Sequence, residues 1–279
     1  MTALKTTMAL IYDFDGTLAT KNMQEYDFLP EIQQTPSKFW GEVRELAKEQ
    51  SADEILIYLY LMLKRASEKS KSIHRNAFKT YGKSIQFFPG VESWFDNITE
   101  YAREKNIRIE HYIVSSGLYE MIEGTDIFKK FKKVFASSFL YSPDNIAIGP
   151  AMAVNYTTKT QFLFRINKGI FNAYDNSLIN KFVREEDRYI PFSRMIYLGD
   201  GETDVPCMSL VKEKGGFSIA VYKKMTKGAR GKARQLFSES RVNGIAPADY
   251  SPDGKLDVMV KAAIDKISAD MYLQNHLGD

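Results

Sequence analysis

The feature that most constrains this chain is a pair of aspartates at the end of an apolar run. The sequence DFDGTL at positions 13–18 directly follows residues 8–12, whose apolar side chains predict a buried strand. Because side chains alternate between the two faces of a strand, Asp13 and Asp15 point roughly the same way if the extended geometry persists, and their charges repel. Burying unpaired carboxylates costs several kcal/mol, so we expect a partner, and a divalent cation is the simplest candidate. The alternative is an ordinary Asp-Gly turn that closes a strand.

The rest of the chain alternates between short apolar segments and helical patterns. The segments that predict buried strands are residues 8–12, 108–114, 133–136, 195–198 and 217–221, with a further candidate at 242–246 and a hairpin turn at 142–145. This alternation predicts an α/β fold with a Rossmann-like parallel sheet core flanked by helices. Ligands of such sheets bind at the carboxyl ends of the strands. Three of the segments end in polar residues, at Asp13 and Asp15, at Ser115 and Ser116, and at Asp200.

The segment 20–87 breaks this alternation, because it contains helical patterns but no convincing strand. Ser51 and Glu54 have the spacing of a capping box, which predicts that a helix begins there and continues through Ala66. The turn residues Pro89 and Gly90 mark the return to the α/β pattern. We therefore predict a small α-helical cap domain, residues 20–87, inserted into a core domain that consists of residues 1–19 and 88–279.

A second acidic motif, GDGETD at positions 199–204, follows the strand predicted at residues 195–198. Gly199 and Gly201 permit a tight turn and a close approach of the backbone. Asp200 and Asp204 would add two carboxylates near the same edge of the sheet, and hard divalent cations prefer oxygen ligands. The alternative is a strand–turn–helix connection in which Asp204 caps the helix.

A hydroxyl- and glycine-containing segment could bind an anion. Ser115, Ser116 and Gly117 end a predicted strand ahead of a helix. Backbone amides at a helix start, together with a hydroxyl group, can hold a phosphate. An ordinary N-cap serine is the alternative.

A lysine is the other candidate for anion binding. Thr158 and Gln161 have capping-box spacing, which puts Lys159 in the first turn of a helix. The helix dipole disfavours a cation there, unless the cation faces a phosphate or carboxylates. Lys168 is the second candidate, and spacing alone does not decide between the two. We prefer Lys159, because Lys168 lies near the helix end, where a lysine is favourable for structural reasons.

The composition argues against several functional classes. The net charge is +3 over 279 residues with acidic and basic side chains interspersed, which does not indicate a nucleic-acid partner. One basic run, residues 223–234, is interpreted as a solvated helix face rather than as a phosphate-attracting rim or an RNA contact. The longest apolar run, residues 55–63, is too short to cross a membrane, and no signal peptide is expected. With Cys207 as the single cysteine, no disulfide forms within the chain, and we expect a cytoplasmic protein.

The four elements, in this order, resemble the haloacid dehalogenase (HAD) superfamily. Its members share a strand-end DxDGT motif, a strand-end serine or threonine, a lysine on a later helix and a GDGxxD-type acidic motif. The corresponding parts of this chain are DFDGTL at 13–18, Ser115, Lys159 and GDGETD at 199–204. The resemblance extends from residue 8 to about residue 250. The helical insert directly after the first motif is similar to that of the phosphoserine-phosphatase-like branch.

The resemblance implies a Mg²⁺-dependent phosphatase that acts on a small phosphorylated metabolite. Asp13 would be the nucleophile that forms an aspartyl-phosphate, and Asp15 would protonate the leaving oxygen and then activate water. The implied metal-binding residues are Asp13, Asp15 through its backbone carbonyl, Asp200 and Asp204. The implied phosphate-binding residues are Ser115, Ser116, Gly117 and Lys159. Haloacid dehalogenases themselves attack carbon and need neither Mg²⁺ nor an acid at the position of Asp15, so the acidic residues favour phosphoryl transfer.

The substrate is left open by two departures from the phosphoserine phosphatases. The glutamate that those enzymes carry about nine residues after the nucleophile is Asn22 here, with Glu25 one turn further on, and Thr203 stands where asparagine is common. The candidate specificity residues in the cap are Asn22, Glu25, Tyr26, Lys64 and Arg65.

Three alternative functions remain from the sequence. They are a phosphotransferase or mutase on the same core, a non-catalytic phosphometabolite-binding protein, and a phosphatase of nucleic-acid ends. The weak net charge, and a cap that should exclude polymers, count against the last. No membrane or nucleic-acid partner is expected, and the sequence does not determine the oligomeric state.

Overall fold

A seven-stranded sheet lies at the centre of the computed structural model, which describes residues 6–276 apart from the side chains of Glu202 and residues 274–276. The strands are β1 Thr6–Tyr12, β2 Ile107–Leu118, β3 Lys133–Tyr141, β4 Ala147–Met152, β5 Met195–Gly199, β6 Phe217–Tyr222 and β7 Gly244–Pro247. Their order in the sheet is β4-β3-β2-β1-β5-β6-β7. Neighbouring strands are parallel, except that β3 and β4 form an antiparallel hairpin. The predicted α/β fold with a Rossmann-like parallel sheet is confirmed.

Helices surround this sheet. They are α1 Phe28–Glu31, α2 Pro36–Gln50, α3 Glu54–Glu68, α4 Arg75–Tyr81, α5 Val91–Arg103, α6 Tyr119–Glu123, α7 Thr158–Lys168, α8 Val205–Glu213, α9 Ala229–Ser238 and α10 Lys255–His276. Short 3₁₀ turns occupy several of the connections. None of these helices, within residues 6–276, combines the length and the apolar character that crossing a membrane requires.

The core lies on both faces of the sheet, and β1 illustrates why. Leu10 and Tyr12 point to one face, where they join a hydrophobic cluster that includes Trp94 on α5. Ala9 and Ile11 point to the other face and join a second cluster, which includes residues of α7 and α8. A central parallel strand is covered on both faces, which is why it is a near-continuous apolar run rather than an alternating one.

The segment 20–87 contains helices α1–α4 and no named strand. The chain leaves and re-enters the sheet region at adjacent points, since Ala19 and Phe87 form an antiparallel bridge and Thr20 N donates to Gln86 O at 3.0 Å. Helix α3 packs against β4, and α4 packs against α6. The helices of this insert share one hydrophobic cluster with a face of the sheet, so their division into a separate cap domain stays a prediction.

The helix start predicted at Ser51 is wrong. Ser51 ends α2 in the left-handed conformation with φ 50°, and α3 begins after Asp53. The carboxylate of Asp53 accepts hydrogen bonds from Ile55 N at 2.9 Å and Leu56 N at 3.1 Å. An aspartate is as good an N-cap as a serine, and it lies two residues nearer to the apolar run. The spacing of Ser51 and Glu54 was therefore coincidental.

The capping box predicted for α7 is also replaced by a different arrangement. Thr157 is the N-cap residue but its side chain makes no capping hydrogen bond. Instead, the side chain of Asn155 accepts from Thr158 N at 3.0 Å, and Thr158 Oγ1 accepts from Asn155 N at 2.7 Å. The reciprocal pair thus forms one turn earlier than the sequence spacing indicates, and α7 still begins at Thr158.

A buried histidine makes the stability of the fold depend on pH. His111 is 5% exposed on β2, with Tyr12 Oη at 3.0 Å from Nδ1 and Thr99 Oγ1 at 3.1 Å from Nε2. Burial lowers the pKa of His111 from 6.5 to about 4. Because the unfolded chain then binds a proton more readily than the folded one, stability falls as the pH falls from the unfolded pKa toward the folded pKa.

We expect the unmodified protein to lose stability faster than His111→Gln between about pH 6.5 and pH 4, by up to about 1.4 kcal/mol per pH unit. Urea unfolding of both proteins at a series of pH values measures the difference. Parallel curves for the two proteins would contradict this assignment.

Candidate active site

The carboxyl ends of three adjacent strands bring the sequence motifs together. β1 lies between β2 and β5, and Tyr12 pairs with Leu198. Asp13 N donates to Leu198 O at 2.9 Å, which extends the pairing by one residue beyond the strand. Asp13 and Asp200 therefore follow neighbouring strands, as parallel topology requires.

Three carboxylates meet at this edge. Ligand oxygens of Asp13, Asp200 and Asp204 all lie within 4.8 Å of one another. Asp13 and Asp204 are buried, 5% and 0% exposed, whereas Asp200 is exposed to solvent. Three acidic groups at such distances repel strongly, so the cluster needs positive charge.

Part of that charge comes from Lys159, which is fully buried. Its Nζ donates to Asp13 Oδ1 at 2.8 Å, to Asp204 Oδ1 at 2.7 Å and to Thr203 Oγ1 at 3.2 Å. Three donors thus meet three acceptors, which is the full capacity of an ammonium group. The first turn of α7, where the dipole disfavours a lysine, carries one here because the side chain ends between two carboxylates.

The ionisation of this group follows from its partners. Burial by itself would lower the pKa of Lys159, but the charges of Asp13 and Asp204 outweigh burial and raise it well above its usual range. Burial and the nearby Asp204 raise the pKa of Asp13, and Lys159 counteracts both. The ammonium–carboxylate arrangement is therefore the charged form in which each group stabilises the other.

Asp204 does not act as a helix cap. It occupies the N-cap position of α8, but its side chain makes no capping hydrogen bond. Its Oδ1 accepts from Tyr197 Oη at 2.7 Å as well as from Lys159, while its buried Oδ2 has no hydrogen-bond partner among the described residues. An unpartnered buried carboxylate oxygen beside two further carboxylates fits a hard cation such as Mg²⁺.

Asp15 has an environment different from that of the three-carboxylate group. It is partly buried, and its Oδ1 accepts a hydrogen bond from Met23 N at 2.9 Å. Burial, followed by the negative charge of Asp13, raises the pKa of Asp15 well above its usual range. A carboxyl group with a raised pKa beside an ionised one is the arrangement that separates a proton donor from a nucleophile.

Gly16 allows Asp200 to approach the first motif. Its φ is +74°, and a Cβ added there would lie 2.2 Å from Asp200 Oδ2. The position therefore needs glycine for two reasons, the left-handed backbone and the space that the carboxylate occupies.

The segment 115–117 differs from the predicted helix start. β2 continues through Leu118, with a register shift between Ser115 and Leu118, and α6 begins only at Tyr119. Ser115 Oγ accepts from Gly117 N at 3.0 Å, and the buried Ser116 Oγ has no hydrogen-bond partner within the described part of the chain. These residues therefore lie at the irregular end of β2 rather than at a helix N-terminus.

A cavity of about 980 Å³ opens above the carboxylates. Its walls include most of the residues that the sequence singled out, namely Asp13, Asp15, Asn22, Glu25, Ser115, Ser116, Gly117, Lys159 and Asp200. Glu25 Oε1 accepts from Asn22 Nδ2 at 2.8 Å and from Trp40 Nε1 at 2.9 Å, which holds its carboxylate at the side of the cavity formed by the insert.

The other candidate specificity residues lie elsewhere. Tyr26 and Arg65 are not among the cavity walls. The Tyr26 hydroxyl lies 2.8 Å from Thr20 Oγ1 and donates to Gln86 O, whereas Arg65 pairs with Glu42 and Glu68 on the insert. Lys64 is exposed, over the ring of Tyr60.

Lys168 binds backbone carbonyl groups rather than the carboxylate cluster. Its Nζ donates to the carbonyl oxygens of Ile179 and Lys181, at 2.6 and 2.7 Å. Gly169, in the left-handed conformation, ends α7 directly after it. Of the two lysines that the sequence left open, the structure brings Lys159 to the carboxylates.

Several wall residues were not anticipated. Trp40, Tyr58 and Tyr156 line the cavity from the insert and from the loop before α7. Lys223 and Lys227 line it from the basic run that was interpreted as a solvated helix face, and both precede α9 in a loop. The run is visible in the sequence, but only the tertiary structure shows that part of it lines the cavity.

Replacing Lys159 tests its role as the partner of two buried carboxylates. We expect Lys159→Met to lower the free energy of unfolding by about 3–5 kcal/mol in a chelator, because Asp13 and Asp204 then face each other unpaired. Saturating Mg²⁺ should restore part of the loss. The matched control is Lys168→Met, which should cost about 1 kcal/mol. Urea unfolding measures both, and equal losses would argue against the buried ion pair.

Two glycine-to-alanine replacements, one in the site and one in helix α2, form a second pair of test and control variants. Gly16→Ala should lower stability by about 1–3 kcal/mol and weaken Mg²⁺ binding, because it introduces backbone strain and displaces Asp200. Gly41→Ala adds a methyl group with no atom within 4 Å in the middle of α2, and it should raise stability by about 0.5–1 kcal/mol. Calorimetry with and without Mg²⁺ distinguishes the two. Unchanged metal affinity in Gly16→Ala would contradict the assignment of Asp200 as a metal ligand.

Comparison with known proteins identifies relatives of this chain. A protein of Borreliella burgdorferi whose function is uncharacterised is 32% identical over 276 residues, 89% of this chain and 93% of the relative. A HAD family hydrolase of Salmonella enterica serovar Typhi matches with a TM-score of 0.57 at 14% identity, over 91% of this chain and 70% of the other. A substrate-bound phosphoserine phosphatase matches with a TM-score of 0.51 at 17% identity, over 92% and 99%.

The family follows from the sequence match. The model of the haloacid dehalogenase-like hydrolases matches residues 10–209, which includes both acidic motifs and Lys159. The solved structures share the fold. This chain therefore belongs to the haloacid dehalogenase-like hydrolases and is an enzyme of that family.

Proposed function

We propose that this enzyme is a Mg²⁺-dependent phosphatase that hydrolyses a small phosphomonoester through an aspartyl-phosphate at Asp13. The observation that carries the proposal is the buried Lys159, held at 2.8 Å from Asp13 and 2.7 Å from Asp204. Such a pair keeps Asp13 ionised at the base of a cavity, beside the protonatable Asp15. The alternative interpretations of the two acidic motifs, an Asp-Gly turn and a helix cap, do not require a buried ammonium group.

Asp13 is the nucleophile in this proposal. Its carboxylate oxygen forms a bond to phosphorus while the bond from phosphorus to the ester oxygen breaks, so the phosphoryl group passes to the protein. Lys159 stabilises the negative charge that gathers on the phosphoryl oxygens. The charge of Asp13 before attack is stabilised by the same ammonium group.

Asp15 transfers the proton in both half-reactions. Its raised pKa supports a protonated state that donates to the leaving ester oxygen, which departs as an alcohol. The resulting carboxylate then takes a proton from water as the water oxygen attacks phosphorus, releasing inorganic phosphate and the Asp13 carboxylate. Positioned acid–base groups of this kind contribute about 10²–10⁴-fold in rate.

A bound Mg²⁺ would neutralise the charge between the carboxylates and the phosphate. Asp13, Asp200 and Asp204, with the carbonyl of Asp15, are the residues that would hold it. Their cluster of oxygens and the unpartnered Asp204 Oδ2 support this assignment.

The segment at the end of β2 is proposed to hold the phosphoryl oxygens together with Lys159. Ser115, Ser116 and Gly117 line the cavity, and the buried Ser116 Oγ has no hydrogen-bond partner among the described residues. Preorganised donors aimed at a developing charge cost no reorganisation during the reaction.

The substrate class is proposed to be a phosphorylated metabolite that fits beside the insert. The structural neighbours include a phosphoserine phosphatase and a phospho-aspartyl intermediate analogue of such an enzyme, at 16–17% identity. Phosphoserine remains one candidate, since Asn22 replaces the glutamate expected in that branch, while Glu25 lies at the cavity wall.

A panel of phosphomonoesters tests the proposal. We expect release of inorganic phosphate that requires Mg²⁺, is abolished by chelator, and falls at least about a thousandfold in Asp13→Asn. The matched control, Asp144→Asn, changes an exposed residue of the β3–β4 turn and should keep full activity. Phosphate release that persists in Asp13→Asn would contradict the assignment of Asp13 as the nucleophile. If no ester releases phosphate, the result would favour a non-catalytic binding protein. Products other than free phosphate on adding alcohols would indicate a transferase.

A further inference from the structure

The helical insert is tied to both segments that carry the proposed phosphate-binding groups. We propose that α3 positions these segments, through Asp53 bonded to Asn155 and through Tyr58 bonded to Ser116. Asp53 and Tyr58 are then positioning residues, which act through Lys159 and the 115–117 segment. This inference rests on the proposed phosphatase function.

Asp53 uses its two carboxylate oxygens in two different contacts. Oδ1 caps α3 by accepting from Ile55 N and Leu56 N. Oδ2 accepts from Asn155 Nδ2 at 2.7 Å, across 102 residues of sequence. One side chain therefore fixes the start of α3 and joins it to the loop before α7.

Asn155 connects Asp53 to the backbone of the turn that carries Lys159. Its Oδ1 accepts from Thr158 N at 3.0 Å, and its backbone carbonyl accepts from Lys159 N at 3.0 Å. The first turn of α7 is thus built on Asn155, and Asn155 is held by Asp53. A shift of Asn155 would move the backbone from which the Lys159 side chain reaches Asp13.

Charge gives Asp53 a second effect. A lysine in the first turn of a helix opposes the dipole of that helix. The carboxylate of Asp53 is hydrogen-bonded to Asn155, whose side chain accepts from Thr158 N at the start of α7. Negative charge near a helix N-terminus is favourable for the same reason. Asp53 thereby helps to keep a cation where helix electrostatics disfavour one.

Tyr58 makes the second connection, about one turn further along α3. It is 3% exposed, and its hydroxyl donates to Ser116 O at 2.6 Å. This contact fixes the carbonyl within the irregular end of β2, between Ser115 and Gly117. Both segments around the proposed phosphate site are therefore hydrogen-bonded to the same helix.

Substitutions that keep each helix cap can test the link to Asn155 selectively. Serine is a good N-cap but is too short to reach Asn155, so we expect Asp53→Ser to lower the melting temperature by no more than about 2–4 °C. It should lower kcat/KM and the affinity for inorganic phosphate by about ten- to a hundredfold, and speed amide exchange in residues 157–161. Asn155→Asp should show a similar loss, because two carboxylates then meet. The swap Asp53→Asn with Asn155→Asp re-forms the hydrogen bond and should restore activity to within about threefold.

Asp27→Ser is the matched control, since Asp27 is the exposed N-cap of α1 and makes no capping hydrogen bond. It should match the unmodified protein in all three measurements. An Asp53→Ser variant that behaves like this control, or a swap that rescues nothing, would overturn the inference. If the unmodified protein releases no phosphate from any ester, the proposed function fails, and the exchange of residues 157–161 still decides whether Asp53 holds the start of α7.

Discussion

The buried contact of one ammonium group with two carboxylates is the interaction on which the site depends. Lys159 joins Asp13, which follows the central strand, to Asp204, which precedes α8. Removing either partner from such a pair leaves an uncompensated charge in a low-dielectric region. The pair therefore fixes three elements relative to one another, and at the same time leaves Asp200 and one oxygen of Asp204 available for a cation.

The sheet topology is what makes this contact possible. Because β1 lies between β2 and β5, polar residues from three separate parts of the chain emerge at one edge. Residues of the insert line one side of the cavity, and the insert makes one hydrogen bond to the end of β2 and one to the loop before α7. The same segment thus lines the cavity and contacts both segments that carry the proposed phosphate-binding groups.

The sequence predicted the structure correctly where a residue pattern is compatible with only one arrangement. Apolar runs that end in aspartate or serine predicted the strands and their polar ends, and four ordered motifs predicted the family. Prediction failed where several nearby residues could each cap the same helix. Asp53 rather than Ser51 caps α3, and Asn155 rather than Gln161 stabilises the start of α7. Capping depends on which side chain reaches the free amides, and spacing does not fix that reach.

The sequence by itself determined the α/β class, the acidic motifs and the candidate lysines, because strand burial and charge repulsion are properties of local pattern. Only the tertiary structure decided between Lys159 and Lys168, turned the loop with Lys223 and Lys227 toward the cavity, and left Tyr26 and Arg65 outside its walls. These outcomes depend on contacts between residues far apart in the chain. Asp13, the first aspartate of the pair that required a partner, finds one 146 residues away in Lys159, a separation that no local pattern encodes.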